Sequence, residues 1–381
     1  MRVLFVAHSF PRHADDVAGA FILRLAVALR ARGVDVRVLA PAAAGLAATE
    51  AVAGVRVDRF RYAPRRWETL AYEGTMAEQV HGSWRSRLAL AGLVLGGRRA
   101  IRRAVREFQP DVVHAHWWFP GGLSAALAGM KVPLVVTLHG SDVRLTAGSA
   151  LAPALMRFVL GRSAAVTAVS SWLCAEANRL ARAEVHTVAP MPVDDSPAAA
   201  AAARGRSVLF VGRLNAQKGV RDLIDAARLL PGDVAIDIVG EGNDRAALEA
   251  RASEAGLARR VRWHGRLAPR EVRRLYPAAG VVAIPSRDEG LGLVAVEAQL
   301  AAAPVVAYRS GGLTDLVEDG VSGLLAEPGN VPALAGAIRR VLDDPALANR
   351  IGAGGRGRAL ARFSPRAAAA AYEGVYRGVV A

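Results

Sequence analysis

Two short apolar runs far apart in the chain, Val3-Leu4-Phe5-Val6 and Val208-Leu209-Phe210-Val211, open segments that continue in the same order. After the first run come a polar loop and a helical pattern from about Ala20 to Arg32. Gly33 ends that pattern, and Val34 to Leu39 reads as the next strand. After the second run, the loop Gly212 to Gly219 leads into a helix, and Ala235 to Val239 follows as a strand. Strands alternating with helices of ten or more residues imply βαβ units and a parallel sheet. Further strands are expected at Val112 to Ala115, Leu134 to Leu138, Ala165 to Val169, Val261 to Trp263, Val281 to Ile284 and Val305 to Ala307. Their unbroken β-branched character suits strands covered on both faces. The segment VAPMPVDDSPAAAAAARGRS, with its prolines, paired aspartates and alanine tract, marks a linker near residues 189–206. The 381 residues therefore divide into two doubly wound α/β domains, expected to face each other across a cleft. Ligands of such sheets bind beyond the carboxyl ends of the strands.

Composition narrows the partners. A net charge of +15 comes almost wholly from arginine, since Lys131 and Lys218 are the only lysines among 49 basic residues. Such a field favours phosphates or anionic surfaces. No RNA-binding aromatic motif, zinc spacing or helix-turn-helix signal accompanies it, so no nucleic-acid partner is expected. The opening MRVLFVAHSF reads as a buried strand and not as a signal peptide, which predicts a cytoplasmic protein. The single cysteine, Cys174, fits a reducing compartment and a core position. The run Leu88 to Gly97 is far short of the roughly 20 residues that a helical membrane span needs.

The densest chemistry lies in the second half. In PSRDEGLGLVAVEA (Pro285 to Ala298) a strand ends at Ile284, a loop turns through Gly290, and a helix is expected from about Leu291 to Ala301. Unpaired N–H groups at a helix start, with the helix dipole, make an anion site. Gly290 and Gly292 let a phosphate come close. Glu297 lies about two helical turns beyond Glu289. Two carboxylates so separated suit two ends of one extended ligand, each accepting from hydroxyls. The loop GRLNAQKG (Gly212 to Gly219) follows the first strand of this half and places Arg213 and Lys218 to flank the same phosphates. A departing diphosphate needs positive charge from a metal or from side chains. The sequence has no Asp-x-Asp pair and no histidine–carboxylate cluster with clear metal spacing, so side chains are expected to supply it.

These segments resemble glycosyltransferase family 4, a group of retaining enzymes with the GT-B fold. Glu289 and Glu297 match its E-x7-E motif, GRLNAQKG its diphosphate-binding motif, and SGGLTDLVEDGVSGLLAEPGN (Ser310 to Asn330) its downstream donor-domain segment. The resemblance covers nearly the whole chain. It implies a domain over 1–188 on the acceptor side, the linker 189–206, a nucleotide-sugar domain over 207–362, and a helix over 363–381 crossing back to the first domain. It implies metal-independent transfer of a hexosyl unit from a UDP- or GDP-linked donor to a sugar, polyol or lipid-linked acceptor, with no cofactor. Arg213 and Lys218 would hold the diphosphate, Glu289 the sugar hydroxyls and Glu297 the ribose. Amides from Gly290, Leu291, Gly292 and Leu293 would meet phosphate and sugar.

In the first half, His114-Ala-His116-Trp117-Trp118 and Thr137-Leu-His139-Gly-Ser-Asp142 each follow a strand. By itself His139 is as well read as a turn cap; the resemblance places it beside the donor sugar. Trp117 and Trp118 either stack on an acceptor, with His116 nearby, or pack beneath the domain. Gly19 heads the first helix and, by resemblance, brings an amide to the donor phosphate, although the usual glycine pair is here Ala18-Gly19. Arg85, Arg87, Arg98, Arg99, Arg102, Arg103 and Arg106 surround the Leu88 to Leu95 run. Relatives acting on lipid-linked acceptors dock on anionic membranes with such a face; an ordinary solvated helix is the other reading.

Of the rival functions, a non-enzymatic binding module is disfavoured by the charged donor site, and two enzymes also fare worse. Gly240-Glu-Gly242-Asn-Asp-Arg245 only begins like a dinucleotide fingerprint, which disfavours an oxidoreductase. A phosphorylase needs a pyridoxal lysine that neither lysine suits. A sugar-nucleotide epimerase of the same fold is the remaining alternative.

Overall fold

In a computed structural model the described residues are 1–14, 16–72, 76–148, 150–194 and 204–381. The chain forms two compact units: unit 1 is Met1–Pro192 with Pro365–Ala381, and unit 2 is Val193–Ser364. Of the linker expected over 189–206, residues 195–203 lie outside the described residues.

Unit 1 is built on an eight-stranded sheet of β1 (Arg2–Val6), β2 (Asp35–Pro41), β3 (Thr49–Val52), β4 (Val55–Phe60), β5 (Val112–His116), β6 (Leu134–Leu138), β7 (Ala165–Ala168) and β8 (Thr187–Val188). Their order is β3-β4-β2-β1-β5-β6-β7-β8. All neighbours are parallel except β3 and β4. Val3, Leu4 and Phe5 are fully buried, as are Val112, Val113, Val135 and Val136, which is what strands covered on both faces require. The chain leaves β1 toward β2 on one side and returns to β5 on the other, so β1 and β5 flank a switch point. The β3–β4 pair is absent from the sequence reading. It is an edge hairpin turning at Ala53 and Gly54, both at positive φ, and only alternate residues such as Val55 and Val57 are buried. Cys174 is buried, its sulfur 3.9 Å from the Thr187 carbonyl.

Unit 2 has six parallel strands, β9 (Ser207–Val211), β10 (Ala235–Val239), β11 (Val261–Gly265), β12 (Val281–Ile284), β13 (Val305–Tyr308) and β14 (Leu324–Ala326), in the order β11-β10-β9-β12-β13-β14. The same logic puts its switch point between β9 and β12.

The last helix, Pro365–Val380, belongs to unit 1. It packs on the helix Ala20–Arg30, and Arg32 donates to Glu373 over 2.7 Å. The Leu88 to Gly97 run lies inside the long helix Trp84–Phe108, whose buried residues Ala89, Leu93, Gly97, Ile101, Ala104 and Phe108 recur at helical spacing. Among the described residues no helix is long and apolar enough to cross a membrane.

Candidate functional site

In unit 2 the loops after β9 and β12 lie against each other at the switch point. Gly219 makes this approach possible. It sits at φ 67°, and a Cβ there would stand 1.9 Å from the Pro285 carbonyl oxygen. The Arg287 N–H donates to the Gln217 carbonyl over 2.8 Å, and the Gln217 amide donates to the Asp288 carbonyl over 3.2 Å. Asn215 caps the short turn Ala216–Lys218, accepting from the Lys218 N–H. These bonds aim the Lys218 ammonium at the Glu289 carboxylate, and the two form an ion pair with little side-chain exposure, 21% and 11%. The segment after β13 holds Glu289 from behind. Ser310 accepts from the Asp288 N–H, and the Glu289 carbonyl accepts from the Gly312 N–H over 2.7 Å.

The helix expected from Leu291 runs Leu293–Leu300, starting two residues later because Gly292 at φ 92° closes the loop in a left-handed conformation. Glu297, on its second turn, accepts from the buried Tyr276 hydroxyl over 2.8 Å. Burial, with Glu297 beside it, pushes the Tyr276 phenol well up. No sequence signal pointed to Tyr276. Arg213 is exposed, and its guanidinium makes no hydrogen bond or ion pair among the described residues. The structure thus joins Lys218 to Glu289 directly and leaves Arg213 on the rim.

In unit 1 the equivalent loops carry rings. Gly19 caps the helix Ala20–Arg30 at φ 68°, where a Cβ would fall 2.3 Å from the Ser9 carbonyl oxygen. Asp16 organises this loop. Burial opposes its charge, but the Arg12 side chain and N–H and the Ala18 N–H bring its carboxyl down to about 2. Trp118 is 1% exposed and its indole donates to the Asp142 carbonyl, so this ring packs within the unit. Trp117 is also buried, its ring centroid 4.3 Å from that of His8 and 4.7 Å from that of His139. Trp117 walls a cavity of about 300 Å³ lined also by His8, Leu90, Phe119, Ser141 and Leu145.

Asp142 ties these loops. Its carboxylate accepts from the backbone N–H groups of Trp118, His139 and Gly140, over 3.1, 3.1 and 2.9 Å. Asp142 is not singled out in the sequence; an acid three residues after a strand-end histidine and in the first turn of a helix is the available signal.

His139 lies with its Nε2 3.2 Å from the His116 Nδ1. Behind them His114 is fully buried with both ring nitrogens engaged, Nδ1 to the Tyr376 hydroxyl and Nε2 to Thr137 Oγ1, each at 2.7 Å. That occupancy leaves His114 no free ring nitrogen for a ligand. Among the described residues no group of three histidine, cysteine, aspartate or glutamate side chains is arranged to hold a metal. Burial lowers His8 to about 4 and His114 to about 3, and holds His116 and His139 well below the usual imidazole range.

Comparison with known proteins gives a coherent picture. The model of the family "Glycosyltransferase Family 4" matches residues 18–197, and that of "Glycosyl transferases group 1" matches 195–358. The chain is 32% identical to a glycogen synthase of Mycobacterium tuberculosis, covering 99% of this chain and 94% of that one. It is 32% identical to a D-inositol 3-phosphate glycosyltransferase of Xylanimonas cellulosilytica, covering 93% and 90%. A 2-deoxystreptamine glucosyltransferase of Streptomyces kanamyceticus is 36% identical over 63% of this chain and 70% of its own. Among solved structures, sucrose-phosphate synthase from Thermosynechococcus elongatus superposes with a TM-score of 0.80 at 24% identity, covering 100% and 99%. Anabaena HepE in complex with UDP-glucose follows at 0.73 and 23%, covering 99% and 100%. The fold is the GT-B type, and the relatives named here are synthases and glycosyltransferases, neither epimerases nor oxidoreductases.

Proposed function

Because the chain belongs to glycosyltransferase family 4, we propose that it moves a hexosyl unit from a UDP- or GDP-linked donor to a sugar, polyol or lipid-linked acceptor, with retention and without a divalent metal. The observation that carries this reading is the Lys218–Glu289 pair at the switch point of unit 2, in the sequence order the family's motifs require. A diphosphate that draws Lys218 toward itself frees the Glu289 carboxylate to accept from sugar hydroxyls. Lys218, with Arg213 on the rim, neutralises the charge that develops on the departing diphosphate. Amides at the start of Leu293–Leu300 serve the phosphate, and Glu297 the ribose. His139 and Gly19 serve the sugar and phosphate from unit 1, and the Trp117 cavity takes the acceptor. The acceptor oxygen bonds to the anomeric carbon as the bond to the phosphate oxygen breaks, and the acceptor proton passes to that phosphate oxygen.

The exposed side chains of Trp84 and Leu88, 61% and 56% accessible, favour a peripheral contact with an anionic cytoplasmic membrane face. Arg85 lies near the rings of both Trp67 and Trp84 beside them. The basic strip is narrower than the sequence suggests, since Arg102 donates to the Ala128 carbonyl and Arg103 pairs with Glu107.

The test is release of UDP or GDP from a panel of sugar nucleotides, with and without EDTA. Turnover of at least one donor that persists in EDTA supports the reading. Turnover lost in EDTA and restored by Mg²⁺ or Mn²⁺ overturns the metal-free part, and silence across the whole panel overturns the donor class.

A further inference from the structure

We propose that His116 is a positioning residue that fixes His139 in the tautomer bearing hydrogen on Nδ1, so that His139 acts as a hydrogen-bond donor to a substrate oxygen and not as a base. The role of His139 toward substrate rests on the transferase reading above; the tautomer itself rests on geometry alone.

Two ring nitrogens 3.2 Å apart share one hydrogen: His116 Nδ1 and His139 Nε2 cannot both carry one, and cannot both lack one and still bond. Which ring supplies it follows from the far side of His116. That ring is fully buried, and its Nε2 meets no partner among the described residues. Were the shared hydrogen on His139 Nε2, neutral His116 would carry its own hydrogen on Nε2. A buried N–H would then point at nothing. With the hydrogen on His116 Nδ1, only a lone pair on Nε2 goes unpaired. Stranded buried N–H donors are the rarer and costlier defect. His116 therefore donates, and His139 accepts on Nε2 and bears its hydrogen on Nδ1. The burial that keeps both rings neutral is consistent with this, because no second hydrogen enters the pair.

The ring of His139 has little freedom to escape the arrangement. Asp142 holds its backbone N–H, and the rings of Trp117 and Phe21 lie 4.7 and 5.1 Å from it, centroid to centroid. The His139 Nδ1 has no partner among the described residues, and its residue is only partly buried, so this is the donor that remains for a ligand. The lone pair that a base would need is already committed to His116. Tautomer fixing by the partner of the second nitrogen is the usual way in which a histidine is given one role instead of another.

The experiment is long-range ¹H–¹⁵N NMR of the full-length protein labelled at histidine, with ring signals assigned by His116→Phe and His139→Asn. The expected spectrum shows a protonated Nδ1 and a bare Nε2 on His139, and a mixture of tautomers once His116 is Phe. A protonated Nε2 on His139 in the unsubstituted protein overturns the proposal, as does an unchanged tautomer in His116→Phe. If His116→Phe does not fold, His116→Asn, whose amide reaches the Nδ1 position, replaces it and is expected to keep the His139 tautomer; loss of it there counts against the proposal. None of these spectra needs a substrate, so silence in the sugar-nucleotide panel would sink the transferase reading and leave this one standing. With a donor in hand, His139→Asn retains more turnover than His139→Gln, and His116→Phe lowers kcat by about one to two powers of ten with the donor KM little changed. Equal loss in Asn and Gln contradicts the donor role.

Discussion

In unit 2 the strand ends at the switch point carry opposite charges that meet, Lys218 and Glu289. In unit 1 the ends of β5, at the switch point, and of β6 beside it carry neutral rings, His116, Trp117 and His139, packed against one another and tied by Asp142. Seven of the eight histidines fall in unit 1 and only His264 in unit 2, while the lysine that pairs at a switch point is in unit 2. One architecture, a parallel sheet wound both ways, thus presents ionic chemistry in one copy and hydrogen-bonding, aromatic chemistry in the other. The sheet decides where a site lies; the residues just past two strand ends decide what it can do.

The charged half breaks most visibly. Lys218→Ala should lower transfer by roughly two to four powers of ten, the range expected when a group stabilising leaving-group charge is removed. Arg213→Ala should cost less, because Arg213 sits exposed. Turnover of Lys218→Ala within about threefold of the parent, a difference under 1 kcal/mol, would dissolve the contrast.

Acid should separate the units next. His8 and His114 titrate in the folded protein near 4 and 3, below the unfolded value near 6.5. As pH falls below 6.5 the unfolded chain binds protons that the folded one refuses, so stability is lost on acidification. The slope is up to about 1.4 kcal/mol per pH unit for each histidine. The loss from His8 is complete near pH 4 and that from His114 near pH 3. Hydrogen exchange followed from pH 7 to 4.5 should show β1 and β5 opening before β9 and β12. Simultaneous opening would contradict the assignment of the buried histidines.

A smaller effect sharpens the ring half. Asp142→Asn keeps the shape but replaces one acceptor oxygen by a donor facing backbone N–H groups, which should cost about 1–3 kcal/mol in thermal or denaturant unfolding. A change below about 0.3 kcal/mol would mean that the carboxylate does not tie the loops. The smallest effect is on surface binding. Vesicles containing anionic lipid should retain the protein at low salt and release it as salt rises, and Trp84→Ser should weaken the retention. Equal partition onto neutral and anionic vesicles would remove the anionic preference, and no retention at low salt would remove the membrane contact.

The sequence was most legible where physics is local. The runs at Leu134–Leu138, Ala235–Val239 and Val281–Ile284 match strands to the residue; continuous burial explains the first and third, which have few other solutions, and alternation around Asp237 the second. The Glu289 and Lys218 loops were visible because glycines and charges cluster past strand ends. Less legible was anything that depends on pairing across the fold. The β3–β4 hairpin is an edge feature with a weak pattern. The Tyr276 hydroxyl on Glu297 and the His114–Tyr376 bond join residues far apart in the chain, and no spacing announces them. Between Trp117 and Trp118 only the structure distinguishes a ring packed within the unit, Trp118, from a buried ring that also walls a cavity, Trp117, since a strand-end tryptophan has the same sequence signature in either place.

The most direct test of the central claim is the anomeric configuration of the first-formed product. On the proposed reading Lys218 neutralises the leaving group and His139 acts as a donor, so neither of these residues is assigned as a base opposite the leaving group. NMR of the product formed from an α-linked sugar nucleotide, taken before mutarotation or secondary transfer, should show an α-linkage. A β-linked first product would require a base at the site and would contradict both halves of that division.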